Sequence, residues 1–260
     1  HNVSLSVSDT DDPDQFRVSG RGELHLSVLI ETMRREGYEL AVSRPTVITR
    51  RQSGVTLEPW EAVSIDVDDV HHGKVIESLG ERKGELLDVV KDGHSRVRLS
   101  YRVATRALLG FRSKFTSMTS GSGVMTCAAA GYDAEVDGLS TGRVNGVLVS
   151  NAEGRSVGYA LFNLQNRGRL LIGSGINVYE GMVVGIHSRS GDLTVNPTKE
   201  KKLTNIRAAG SDENILLTTP ITHSLEQALE FINDDELVEI TPAAIRIRKE
   251  HLTAADRRRH

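Results

Sequence analysis

The sequence predicts an α+β protein of more than one domain. Its 260 residues exceed a typical single domain. Apolar residues alternate with period two in some stretches and recur at helical spacing in others, interleaved over residues 59–132. From Gly131 onward, short alternating runs are broken by Gly and Asn, the pattern of a β-rich domain.

The elements follow in order. Val3, Leu5 and Val7 alternate as a strand with no initiator Met before it, so the chain reads as a piece whose sheet partners lie partly upstream. A strand at 15–19 and a Gly20-Arg21-Gly22 turn lead to a helix over 23–36. There Leu26, Leu29, Ile30 and Met33 share a face and Gly37 supplies a left-handed stop. A further strand, 39–42, ends near Pro45, giving a half-domain over 1–50 and a polar, Gly-containing linker at 51–58. Residues 59–132 then read β-α-β-β-α-β: a strand through Val63, Ile65 and Val67, and a helix over 72–83 capped by Gly84. A strand at 86–90 and another through Val97, Leu99, Tyr101 and Val103 come next, then a helix over 105–117 and a strand over 124–130. That order is the ferredoxin-like split βαβ. Residues 133–260 are expected to be β-rich, with strands at 145–150, 157–164, 169–172, 182–187, 237–240 and 244–248. Their one clear helix begins at Ser224, where Ser224 and Gln227 form an S-x-x-Q capping box.

Composition narrows the function. No apolar run is long enough to span a bilayer and no signal-like segment opens the chain, so a soluble, unexported protein is expected; a cytoplasmic location and a monomer are expected with it. Cys127 is the only cysteine, which excludes an intrachain disulfide or a CxxC centre; it is expected as a small core residue. His71 and His72 are adjacent and Asp66, Asp68 and Asp69 lack an EF-hand pattern, so no metal site is expected, and the aspartates read as a solvated acidic turn. With a net charge of -3, nucleic acid can be met only through local basic patches. Two are present, around Lys199, Lys201, Lys202 and Arg207, and at the carboxy terminus around Arg246, Arg248 and Lys249.

The run from Arg17 through Gly20-Arg21-Gly22-Glu23-Leu24-His25-Leu26 to Arg44-Pro45 resembles the end of domain III in elongation factor G relatives. Gly73-Lys74-Val75-Ile76, Glu81-Arg82-Lys83-Gly84 and Leu109-Gly110-Phe111-Arg112-Ser113 resemble their domain V. Only the short linker stands where elongation factor G inserts a domain IV, which leaves the BipA/TypA and LepA groups. Tyr179-Glu180-Gly181, Gly185-Ile186-His187-Ser188-Arg189, Asp192-Leu193-Thr194-Val195-Asn196, residues 201–207 and residues 225–232 all resemble BipA/TypA, with LepA as the alternative.

The resemblance implies a translational GTPase that acts in translation, large-subunit assembly and stress adaptation. Its GTP and magnesium sites would lie in a nucleotide-binding domain upstream of His1. No G-x-x-x-x-G-K-[ST] loop occurs in this chain, so no catalytic residue and no cofactor is assigned to it. Residues 188–213 read as an extended loop whose cations suit phosphate and whose Asn and Thr side chains suit 2'-OH groups or base edges, although the same composition fits a solvated loop. The resemblance decides for contact with large-subunit rRNA and the acceptor end of A-site tRNA, through Arg189, Asn196, Lys199, Lys201, Lys202, Thr204, Asn205 and Arg207. Arg246, Arg248 and Lys249 form a second candidate group, and Arg82 and Lys83 a secondary ribosome contact, although cations at a helix end also complement its dipole. Gly154-Arg155-Ser156-Val157-Gly158 matches G-x-S-x-G, and a serine hydrolase using Ser156 is the alternative from another class. A strand expected to continue through 157–162 argues against it, because that motif needs a helix after the serine.

Overall fold

The computed structural model describes residues 5–92, 95–139, 142–200 and 216–259. They form two compact units: an outer one, His1–Arg44 with Gly142–His260, and an inserted one, Pro45–Thr141. The mixture of sheets and helices is the α+β class expected from the sequence.

In the outer unit, strands β1 (Ser6–Asp9) and β2 (Phe16–Ser19) form an antiparallel hairpin. Helix α1 (Glu23–Arg35) follows and buries Ile30, while Leu24 and Val28 stay exposed. It stops where expected: Gly37 has φ +96, and the Tyr38 amide reaches back to the Met33 carbonyl. Strand β3 (Leu40–Ser43) leads out of the unit.

The inserted unit opens with a correction. Residues 51–58 are no linker: β4 (Arg50–Gln52) pairs antiparallel with the start of β5 (Val55–Asp68). The polar, glycine-containing dipeptide that suggested a linker, Ser53-Gly54, is the two-residue turn between them, with φ values of 52 and 83. Helix α2 (Asp69–Glu81), β6 (Glu85–Lys91), β7 (Arg96–Ala104), the helical pieces α3 (Thr105–Leu108) and α4 (Phe111–Met118), and β8 (Val124–Ala134) complete the unit. Strand order β8-β5-β7-β6 is the ferredoxin-like arrangement. The residues read as alternating do face one core: Val63, Ile65, Val67, Val97, Leu99, Tyr101 and Val103 pack with Val75, Leu79, Phe111 and Phe115.

Three local expectations in this unit change. The helix expected over 105–117 breaks at Gly110 (φ +68), and the Arg82 guanidinium fills the break by donating to the carbonyls of Ala107 and Leu109. After α2 the left-handed position is Lys83 (φ 60); Gly84 follows it and donates to the Leu79 carbonyl. Cys127 is exposed rather than in the core; it lies on the edge strand β8, opposite Val63 of β5. The aspartates are also less solvated than expected. Hydrogen bonds and charge from Arg96 and Arg98 hold the Asp66 carboxyl below its usual range, and Asp68 accepts from Arg96 at 3.3 Å.

Back in the outer unit, the chain forms β9 (Val147–Ser150), β10 (Gly154–Arg155), helix α5 (Gly158–Leu164), β11 (Gly168–Leu170), β12 (Asn177–Val178), β13 (Val183–His187) and β14 (Leu193–Val195). Helix α6 (Leu225–Phe231), β15 (Glu236–Ile240) and β16 (Ile245–Lys249) finish it. The capping box is present, Ser224 and Gln227 each accepting the other's backbone amide. Besides the two-stranded β10-β12 pair, two larger sheets result, β11-β13-β9-β14 and β16-β15-β3, the second joining β3 antiparallel to β15. Val147, Val149 and Val183 of the first sheet pack with Val238, Ile240 and Ile247 of the second and with Leu225, Leu229 and Ile30. The opposite face of the four-stranded sheet packs Leu148, Leu170 and Val184 against Leu161 of α5.

The strand expected over 157–164 is therefore a helix. Its seven residues place Ala160 and Leu161 inward and Tyr159 and Phe162 outward. Gly146 shows how closely the sheet ends pack: a Cβ there would lie 1.8 Å from the Gly191 carbonyl oxygen. Gly146→Ala is expected to cost about 1–3 kcal/mol through this overlap, seen as a lower thermal midpoint; an unchanged midpoint would mean that the 188–191 turn gives way freely.

Candidate nucleic-acid interface

The four-stranded sheet builds the site. β14 runs parallel to β9, and the chain leaves the sheet at Val195 into Asn196-Pro197-Thr198-Lys199-Glu200. Two bonds anchor this exit: the Asn151 amide donates to the Val195 carbonyl at 3.0 Å and the Val157 amide to the Pro197 carbonyl at 3.0 Å. Further along the chain, the Gln165 side chain donates to the Leu216 carbonyl (3.0 Å) and accepts from the Thr218 amide (3.1 Å), while the Ile221 amide donates to the Leu170 carbonyl. Residues 195–197 and 216–221 are thus both tied to α5 and its flanks.

Of the residues expected to touch RNA, Lys201, Lys202, Thr204, Asn205 and Arg207 lie outside the described residues. The segment 188–200 is not a plain extended loop, because Leu193 to Val195 pair with β9. Arg189 and Lys199 are exposed. Asn196 spends its side-chain oxygen locally, accepting from the Thr198 amide (2.9 Å) and hydroxyl (2.8 Å), and so sets the turn that presents Lys199.

Of the carboxy-terminal cations, Lys249 serves the fold instead. Lys249 is 2 % exposed and its ammonium meets Asp192 at 2.5 Å, Asp235 at 2.7 Å and Glu236 at 3.0 Å. It is removed from the RNA set. Arg246 and Arg248 lie on the strand face opposite Ile247, as alternation predicts, but Arg246 faces Glu239 at 3.8 Å and Arg248 donates to the carbonyls of Lys249 and Glu250. Glu236, also fully buried, takes both guanidinium nitrogens of Arg143, at 2.8 and 3.1 Å, and the Asn233 amide. Burial acts to raise this carboxyl, but the Arg143 hydrogen bonds and the charges of Arg143 and Lys249 outweigh it and hold Glu236 below its usual range. In the inserted unit, Arg82 closes the α3–α4 break and lies 5.3 Å from the Phe111 ring centroid, whereas Lys83 is exposed.

Sequence reasoning missed three arginines. Arg155, Arg167 and Arg169 are exposed around α5 and, like Arg189 and Lys199, form no ion pair with another described residue. They are scattered through the sequence rather than clustered, and only the turns that bring β10, α5 and β11 together group them. Isolated cations of this kind give no sequence signal until the fold is known.

Ser156 also needs correcting. It does sit between a strand and a helix, the context that a nucleophile elbow requires, so the reason for setting it aside fails. Its chemistry provides a better one: Ser156 is buried, its hydroxyl donates to the Gly173 carbonyl (2.7 Å) and accepts from the Ile176 amide (3.0 Å). Both capacities tie a loop. Among the described residues no group of three or more His, Cys, Asp or Glu is placed to hold a metal ion, and no helix is long and apolar enough to cross a membrane.

Comparison with known proteins agrees with the two-unit fold. Residues 55–138 match the family described as the elongation factor G C-terminus, so the inserted unit is of the elongation factor G-like class. Residues 145–254 match the TypA/BipA C-terminal domain. The chain belongs to the BipA/TypA family. It is 61% identical over 260 residues to a protein of Haemophilus influenzae named large ribosomal subunit assembly factor BipA. Proteins of the same name from Salmonella typhimurium and Escherichia coli K12 are 60% and 59% identical over 259 residues. In each case all of this chain is matched, and it spans 42 to 43% of the length of these relatives.

Proposed function

We propose that this chain is the ribosome-binding part of a translational GTPase that acts in large-subunit assembly, meeting large-subunit RNA and the acceptor end of A-site tRNA. His1–Arg44 are assigned to the end of a domain III-like module, Pro45–Thr141 to a domain V-like module and Gly142–His260 to the family's own carboxy-terminal domain. GTP and magnesium belong to a nucleotide-binding domain of the whole protein, which works in the cytoplasm as a monomer. The observation that carries the reading is electrostatic. In a chain of net charge -3, the five exposed cations Arg155, Arg167, Arg169, Arg189 and Lys199 lie around α5 and the sheet edge with no carboxylate partner among the described residues. Cations left unpaired in this way are available to phosphates. Family membership supports the RNA as ribosomal, since the relatives are named for large-subunit assembly.

The test is co-sedimentation with purified large subunits across a salt titration. Replacing Lys199, Lys201, Lys202 and Arg207 together with Ala is expected to weaken binding and reduce the slope of log K against log salt by up to about 3. Unchanged binding and slope would refute the reading.

A further inference from the structure

The outward face of α5 carries two partly exposed rings. Tyr159 and Phe162, three positions apart and so neighbours on the helix surface, are 37% and 39% exposed, while Ala160 and Leu161 behind them are buried. Arg155 precedes this helix, and Arg167 and Arg169 follow it. From 151 to 178 these three arginines are accompanied by one carboxylate, Glu153. Two exposed rings between guanidinium groups that meet no carboxylate among the described residues suit one kind of ligand. A single strand of RNA brings an apolar face with each base and a charge with each phosphate. A protein partner would have to bring carboxylates to three separate arginines as well as an apolar surface.

We propose that α5 is a stacking platform for unpaired nucleotides of RNA, in which Tyr159 and Phe162 receive bases while Arg155 and Arg167 take the flanking phosphates. It rests on the reading of the chain as an RNA-binding module and adds base contacts to a surface so far described only by charge.

The experiment uses the whole 260-residue chain with two probes, purified large ribosomal subunits and large-subunit RNA stripped of protein. Tyr159→Leu with Phe162→Leu keeps apolar area and helix propensity and removes the rings. It is expected to weaken binding to both probes about tenfold, with the salt slope unchanged. Arg155→Ala with Arg167→Ala is expected to weaken binding and lower the slope by about 1–2. Phe162→Trp should bind as tightly as the unaltered chain and lose fluorescence on RNA addition, above the constant signal of Trp60, which is 5% exposed in the inserted unit. Full binding by the leucine pair to both probes overturns the platform. So does a loss for subunits alone, which would assign the face to a ribosomal protein. If the leucine pair binds fully while Lys199→Ala is weakened, only the platform fails; if the unaltered chain binds neither probe, the underlying reading fails with it.

Discussion

Arg106→Ala is expected to destabilise the inserted unit by about 3–5 kcal/mol, the cost of leaving a buried charge without its partner. Glu58 is fully buried on β5, and Arg106 grips both its oxygens, at 2.7 and 3.1 Å. The same guanidinium donates to the Val136 carbonyl at 2.9 Å, and Glu58 accepts from the Val136 amide at 2.8 Å. One residue therefore ties the start of α3 to the chain beyond β8. Trp60 is the only tryptophan and lies in this unit, so urea unfolding followed by its emission isolates the effect. Glu58→Met with Arg106→Met should recover much of the loss, because removing both partners leaves no orphaned charge. A single-variant change below about 1 kcal/mol would show that Glu58 is not held by Arg106 in the way the distances imply.

Glu236→Gln is expected to do comparable damage to the outer unit, about 3 kcal/mol, since Arg143 and Lys249 would both lose their buried counter-charge. A pH signature accompanies it. The folded carboxyl lies below its ordinary 4.5, so its contribution is complete above that value and is lost as the pH falls through the folded value. Protection factors at the Val238 and Ile247 amides, corrected for the intrinsic pH dependence of exchange, should fall in the unaltered protein on acidification below about pH 4.5. In the Gln variant protection should start low and lack that step. An identical acid step in both proteins would assign the step to other carboxylates.

How much of this could be read from the sequence depends on whether the signal is local. Val63, Ile65 and Val67 alternate, and the Ser224–Gln227 box is complete in four residues, so both were legible. Gly158 to Leu164 was not. Seven residues with Tyr and Phe among them satisfy neither period, and the helix is chosen by Leu161 packing beneath the four-stranded sheet. Lys249 was misread for a related reason: its carboxylates, Asp192, Asp235 and Glu236, reach it through the fold, so a cation in a basic run looked available when it was already neutralised. The candidate interface was half legible. Lys199 and Arg189 stand in a recognisable segment, whereas Arg155, Arg167 and Arg169 become a group only through β10, α5 and β11.

The pairing of β3 with β15 also sets an order of assembly. Leu40 is matched to Ile240 and Ser43 to Leu237, partners separated by the whole inserted unit and most of the rest of the chain. At synthesis speeds of about 5–20 residues per second, β3 waits roughly 10–40 s for its neighbour to emerge. The ferredoxin-like unit contains all its own strands and can close during that interval. The outer unit is obliged to finish last, and until then the unpaired edge of β3 is open to any other strand that reaches it first.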